Sequence, residues 1–89
     1  MKTVVCPGSF DPITNGHLDI IQRPSGIFDK VIVLVAVNQE KKCFFTPQER
    51  VEMIRRVVEE AGLKNVQVDS DGGLLVSYIQ RAGACAIVK

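Results

Sequence analysis

The segment Val31-Ile32-Val33-Leu34-Val35-Ala36-Val37 constrains this chain more than any other feature. It is uninterruptedly apolar and mostly β-branched, which favours extended backbone. A strand that is apolar on both faces has to be covered on both faces. That occurs chiefly in parallel sheets sandwiched between helices. Parallel neighbours need long crossover connections, so the rest of the chain is expected to supply helices between strands. The run is much too short to span a bilayer.

The flanking sequence supplies those elements. Thr3-Val4-Val5-Cys6 reads as a strand stopped by Pro7-Gly8. His17 to Phe28, with Leu18, Ile20, Ile21 and Ile27, reads as a helix capped by Thr14 or Asn15. Pro24 predicts a kink or an end near Arg23, since an interior proline costs a helix about 3 kcal/mol. Thr46-Pro47-Gln48-Glu49 combines an N-cap threonine, a first-turn proline and a glutamate three residues after the cap. The helix it opens is expected to run to about Ala61, with an inner stripe of Val51, Ile54, Val58 and Ala61, and to stop at Gly62. Val66-Gln67-Val68 reads as a strand, Leu74 to Ala82 as a helix, and Cys85 to Val88 as a last strand. The order βαβαβαβ predicts one α/β domain over residues 1–89, a Rossmann-like open parallel sheet with helices on both faces. Such sheets bind ligands beyond the carboxyl ends of their strands. The segments 7–16 and 38–45, together with Lys89, are therefore expected at one edge.

Composition narrows the function classes. At 89 residues and 46% apolar content the chain is a small globular unit in which nearly every apolar side chain must reach a core. Its 11 Lys and Arg against 10 Asp and Glu leave a formal charge of +1, without the basic footprint of a nucleic-acid or anionic-membrane binder. Any anionic ligand has to be held by a local site. Cys6, Cys43 and Cys85 form no CxxC pair, and the N-terminus lacks a signal-peptide apolar core. These features fit a reducing, cytoplasmic setting, with Cys6 and Cys85 as small apolar strand residues. The single histidine, His17, lies far in sequence from every cysteine, so no Cys/His metal cluster is expected.

The segment from Cys6 to His17 matches neither GxGxxG nor GxxxxGK[ST]. It still has features that suit a phosphate. Gly8 allows close backbone approach, and a helix N-terminus presents amides and positive partial charge to an anion. In that first turn His17 could donate a hydrogen bond to a phosphate oxygen, or could serve only as a capping or surface histidine. Ser9 could equally be an ordinary turn residue, and Asp11, between Phe10 and Pro12, suits a turn former. Lys41-Lys42 is either a solvated pair or, at the carboxyl edge, a source of one phosphate ligand. Lys89 is either a ligand at the end of the fourth strand or a frayed tail.

Pro7-Gly8-Ser9-Phe10-Asp11-Pro12-Ile13-Thr14-Asn15-Gly16-His17 resembles the signature of bacterial phosphopantetheine adenylyltransferases. In that family a Gly-[Ser/Thr]-Phe-Asp-Pro turn leads into a Thr-x-Gly-His helix start. The resemblance continues through Phe28-Asp29, Lys41-Lys42, Phe45, Glu49-Arg50, Gly73-Leu74-Leu75 and Ala86-Ile87-Val88-Lys89, and so covers the whole chain. Thr-x-Gly-His alone marks only the wider nucleotidyltransferase superfamily. The longer match implies transfer of an adenylyl group from ATP, with magnesium, to 4′-phosphopantetheine, giving dephospho-coenzyme A and pyrophosphate. It implies that Ser9 touches both substrates and that Phe10 contacts ATP through its backbone. It further implies that His17 stabilises the transition state, that Lys41 holds phosphates, and that Leu75 and Lys89 line the pantetheine side. A homo-oligomer, commonly a hexamer, is implied as well. Two departures stand out: Pro24 falls where the family keeps a helix former, and the family continues past the position of Lys89 into a Gly-Leu-Arg turn and a Ser-rich motif. The resemblance therefore implies that residues 1–89 are the N-terminal portion of a longer, truncated sheet, which puts the activity of the 89 residues alone in question. The alternatives are another small nucleotidyltransferase, cytidylyl or nicotinate-mononucleotide adenylyl, and a non-catalytic anion-binding α/β module.

Overall fold

A computed structural model describes residues 2–8, 10, 13–36, 46–73 and 75–87. Among them the order is β1 (Thr3–Gly8), α1 (Asn15–Ser25), β2 (Lys30–Ala36), α2 (Pro47–Glu60), β3 (Val66–Asp71), α3 (Leu75–Ala82) and β4 (Ala86–Ile87). The four strands form one sheet in the order β3-β2-β1-β4. Every pairing is parallel, with Val4 opposite Val31 and Val66 opposite Val31 on its other side. This is the α/β architecture that the apolar run of β2 demanded.

Strand alternation divides the core in two. Val4 and Cys6 of β1 and Val31, Val33 and Val35 of β2 face Ile21 of α1 and Ile54 and Val58 of α2. On the opposite face Val5, Ile32 and Leu34 receive Leu75, Tyr78, Ile79 and Ala82 of α3. Not every apolar residue reaches this core: Ile27 is 77% exposed and Val76 65%.

Helix α2 follows its sequence signals closely. Thr46 Oγ1 accepts from the Glu49 N–H and Glu49 Oε1 accepts from the Thr46 N–H, both at 3.1 Å. Gly62, at φ +74°, ends the helix in a left-handed cap, with the Leu63 N–H returning to the Val58 carbonyl. The other inner-stripe residues, Val51 and Ala61, are only half-buried.

Other boundaries differ from expectation for identifiable reasons. Strand β1 continues through Pro7 and Gly8, which pair with Leu34 and Val35. Alternate residues of a parallel strand direct their polar groups to opposite neighbours. The Thr3 carbonyl accepts from Cys85 beside β4, so Pro7, four residues on, also faces away from β2 and its missing N–H costs that ladder nothing. Helix α1 passes Arg23 and ends at Ser25, leaving Phe28 outside. Pro24 sits in its last turn, where its carbonyl accepts from Ile27 and Phe28 and the Asn65 side chain donates to the Ser25 carbonyl at 2.8 Å. Strand β3 runs three residues beyond Val68, to Asp71, because β2 offers it partners as far as Ala36. Cys85 precedes β4 and is exposed rather than a strand core residue. Val37, Leu74 and Val88, expected in regular elements, lie outside the described residues.

Ile54 is fully buried between α2 and the sheet. Ile54→Ala is expected to lower unfolding stability by about 2–5 kcal/mol, whereas truncation of the exposed Val76 should cost well under 1 kcal/mol. Urea denaturation of both variants provides the measurement.

Candidate functional site

The strand order reverses between β1 and β4: β2 and β3 extend to one side of β1, and β4 returns to the other. Open parallel sheets bind ligands at such a reversal, beyond the carboxyl ends of the strands. The chain leaving β1 passes through this region into α1.

Phe10 is buried there at φ +48°, a left-handed backbone that costs a non-glycine residue about 1–3 kcal/mol. Its ring lies directly over Gly8, where an added Cβ would come within 2.9 Å of Phe10 Cε2. The absence of a side chain at Gly8 is therefore what lets the ring pack. The ring meets His17 edge-on, with centroids 5.0 Å apart and planes at 68°.

His17 is the third residue of α1 and closes its N-terminus with Thr14, not Asn15, as the cap. The Thr14 N–H donates to His17 Nδ1 at 3.0 Å, and Thr14 Oγ1 accepts from the His17 N–H at 3.4 Å. An Nδ1 that accepts a hydrogen bond carries no proton, so in the neutral ring the hydrogen-bond network assigns the proton to Nε2. The capping and functional readings of His17 are thus compatible. One ring nitrogen caps the helix, and the other is left as a donor. Helix α1 also has no acidic residue in its first turn, unlike α2 with Glu49, so its positive end is not neutralised from within.

Leu75 opens α3 at the same carboxyl edge but on the opposite face, half-buried against Val5, Ile32 and Leu34. Phe10 and His17 are brought together, with Leu75 across the sheet from them. Ser9, Lys41 and Lys89, and with them Asp11 and Lys42, lie outside the described residues. Among the described residues no group of three or more His, Cys, Asp or Glu side chains is placed to hold a metal ion. Burial pushes the Cys6 thiol beneath the site up to about 11, which keeps it protonated and unreactive. A groove of about 670 Å³ lies elsewhere, between the C-terminal half of α2 and β3, lined by Val58, Leu63, Val66 and Val68. It contains none of the candidate residues.

Two features were not expected from the sequence. Arg50, in the first turn of α2, is only 2% exposed. At the end of β3, Asp71 Oδ2 accepts from Arg81 Nη2 at 2.6 Å and Oδ1 from the Gly73 N–H at 2.7 Å, while Tyr78 Oη donates to Asp69 Oδ2 at 2.8 Å. The Gly73 hydrogen bond, then Arg81, holds the Asp71 carboxyl below the ordinary carboxylate range. Burial, then the Asp69 hydrogen bond, pushes Tyr78 up to about 12.

The profile of a family described as cytidylyltransferase-like matches residues 5–89. The chain is 55% identical to the phosphopantetheine adenylyltransferase of Streptomyces coelicolor over 100% of its own length and 55% of that protein's. To the phosphopantetheine adenylyltransferase of Bifidobacterium longum it is 49% identical, over 100% of the chain and 54% of the relative. The chain thus spans about half the length of the curated relatives it matches. Its fold is similar to that of the lipopolysaccharide core biosynthesis protein of Thermoplasma volcanium, with a TM-score of 0.74 and 20% identity over 98% of this chain and 72% of the other.

Gly8→Ala is expected to displace the Phe10 ring and abolish the Phe10–His17 ring contact, with a stability loss of about 1–3 kcal/mol. Loss of the aromatic cross-peak between the two rings in an NMR spectrum checks this. The Asp71 carboxyl, held low when folded, contributes stability that is full above the ordinary aspartate value of about 4 and disappears as pH falls through the folded value. Amide shifts of residues 72–81 should consequently titrate below pH 4, and Asp71→Asn should remove that titration.

Proposed function

This chain belongs to the cytidylyltransferase-like family, and on that premise we propose that its reading frame encodes an enzyme that transfers an adenylyl group from ATP to 4′-phosphopantetheine. The products are dephospho-coenzyme A and pyrophosphate. The observation that carries the reading is the His17 ring, fixed by Thr14 so that Nε2–H is the donor left at the amino end of α1. Relatives bearing that activity in their names, at 49–55% identity over the whole chain, support the choice of substrates.

A phosphate oxygen of phosphopantetheine attacks the α-phosphorus of ATP in line. The bond from that phosphorus to the oxygen bridging the β-phosphate breaks, and pyrophosphate leaves with the electron pair. The nucleophile is already an anion, so no general base is required. What the protein has to supply is orientation and stabilisation of charge on the equatorial oxygens. In this reading His17 Nε2–H donates to an α-phosphate oxygen, most strongly as charge builds in the transition state. The first-turn amides of α1 add their dipole. The Phe10 backbone, held by its ring on Gly8, contacts ATP. Ser9 touches both substrates, Lys41 holds phosphates, and Leu75 and Lys89 line the pantetheine side. In this reading magnesium comes with the ATP phosphates. The same reading carries a cytoplasmic setting and a homo-oligomeric assembly.

A pyrophosphate-release assay on the longest polypeptide that the reading frame encodes tests the proposal. Turnover is expected with ATP and phosphopantetheine, and His17→Ala should lower kcat by about 10²–10³ with little change in either KM. Loss of the cap should cost only about 1 kcal/mol of stability. An unchanged rate in His17→Ala removes the mechanism. Preference for CTP or for nicotinate mononucleotide reassigns the substrate, and nucleotide binding without turnover points to a non-catalytic module.

A further inference from the structure

We propose that Asp71 is a positioning residue: through Gly73 and Arg81 it sets the pose of the first turn of α3, and with it the affinity for the pantetheine-bearing substrate. The identity of that substrate rests on the function proposed above. The positioning itself rests on the β3–α3 junction.

That junction is Asp71-Gly72-Gly73, two consecutive residues with the least intrinsic backbone restriction, so nothing local fixes the angle at which the chain enters α3. The Asp71 carboxylate supplies the restriction. One oxygen takes the Gly73 N–H before the helix and the other takes Arg81 in its last turn, so a single side chain ties both ends of α3 to the carboxyl end of β3. Gly73 approaches closely enough that a Cβ there would lie 3.1 Å from Asp71 Oδ1.

A second tie runs parallel to the first. Asp69 is two residues from Asp71 and therefore on the same face of β3, while Tyr78 is three residues from Arg81 and on the same side of α3. Their hydrogen bond at 2.8 Å, with the Arg81 guanidinium 5.7 Å from the Tyr78 ring centroid, makes a two-point junction. Leu75, three residues before Tyr78, is the residue this junction aims along the carboxyl edge. The Arg81 side chain is 68% exposed, and exposed ion pairs contribute little to global stability. The expected signature is thus directional, a change in where Leu75 sits rather than in whether the domain folds.

The experiment uses the longest encoded polypeptide and the variants Asp71→Ala and Asp71→Asn. Asp71→Ala should raise KM for phosphopantetheine about tenfold, leave kcat and KM for ATP within about twofold, and shift the Leu75 methyl resonances. Asp71→Asn keeps an acceptor for Gly73 and should show a smaller change in the same direction. Equal effects on both KM values, a fall in Tm alone, or unmoved Leu75 methyls overturn the inference. A wild-type enzyme that does not use phosphopantetheine overturns the substrate reading and the affinity claim with it, while the Leu75 shifts still decide whether Asp71 sets the pose of α3.

Discussion

Burial of β1 and β2 on both faces is the constraint on which the rest of the structure depends. Val4, Val31, Val33 and Val35 are buried on one face of the sheet, and Val5, Ile32 and Leu34 on the other. A layer that must be covered twice needs helices above and below. Parallel pairing, with its long crossovers, delivers them. The two faces are unequally served: α1 and α2 share one, and α3 takes the other. This division follows from the reversal of strand order between β1 and β4, and that reversal places the chain leaving β1 where a ligand site belongs.

At that place one small set of contacts serves folding and, in the proposed function, chemistry as well. Gly8 has no side chain, so the Phe10 ring can lie over it, and the ring edge supports His17. The histidine occupies the position where a capping box usually carries Glu or Gln. Its Nδ1 does the work of that carboxylate by accepting the Thr14 N–H, so the helix start and the tautomer are set together. A carboxylate there would cap as well, but would place negative charge where the proposed function puts a phosphate. Histidine removes that conflict.

Local placement also accounts for how a nearly neutral chain would handle polyanions. Its net charge of +1 offers no long-range field. The proposed function relies on a helix dipole, one ring N–H and close backbone approach, all short-range effects that need accurate positioning. The polar junction between β3 and α3 belongs to the same economy. Asp71 and Arg81 do little for global stability, but they orient a helix start that the two glycines leave undetermined.

The sequence by itself determined the alternation of strands and helices, the two-sided burial of β2, the Thr46–Glu49 cap and Gly62 stop of α2, and the segment that carries the candidate site. Each is written in neighbouring residues, where periodicity, capping chemistry and glycine conformation act over a few positions. Only the tertiary structure decided that β1 could continue through Pro7, because that depends on which neighbour the missing N–H faces. Tertiary structure alone also decided that Asn65, forty residues away in the chain, claims the carbonyl of Ser25 at the end of α1. The pairing of Asp71 with Arg81 and the burial of Arg50 belong to the same class. No local pattern encodes which long-range partner reaches a polar group, and whether such a group is tolerated depends on that partner.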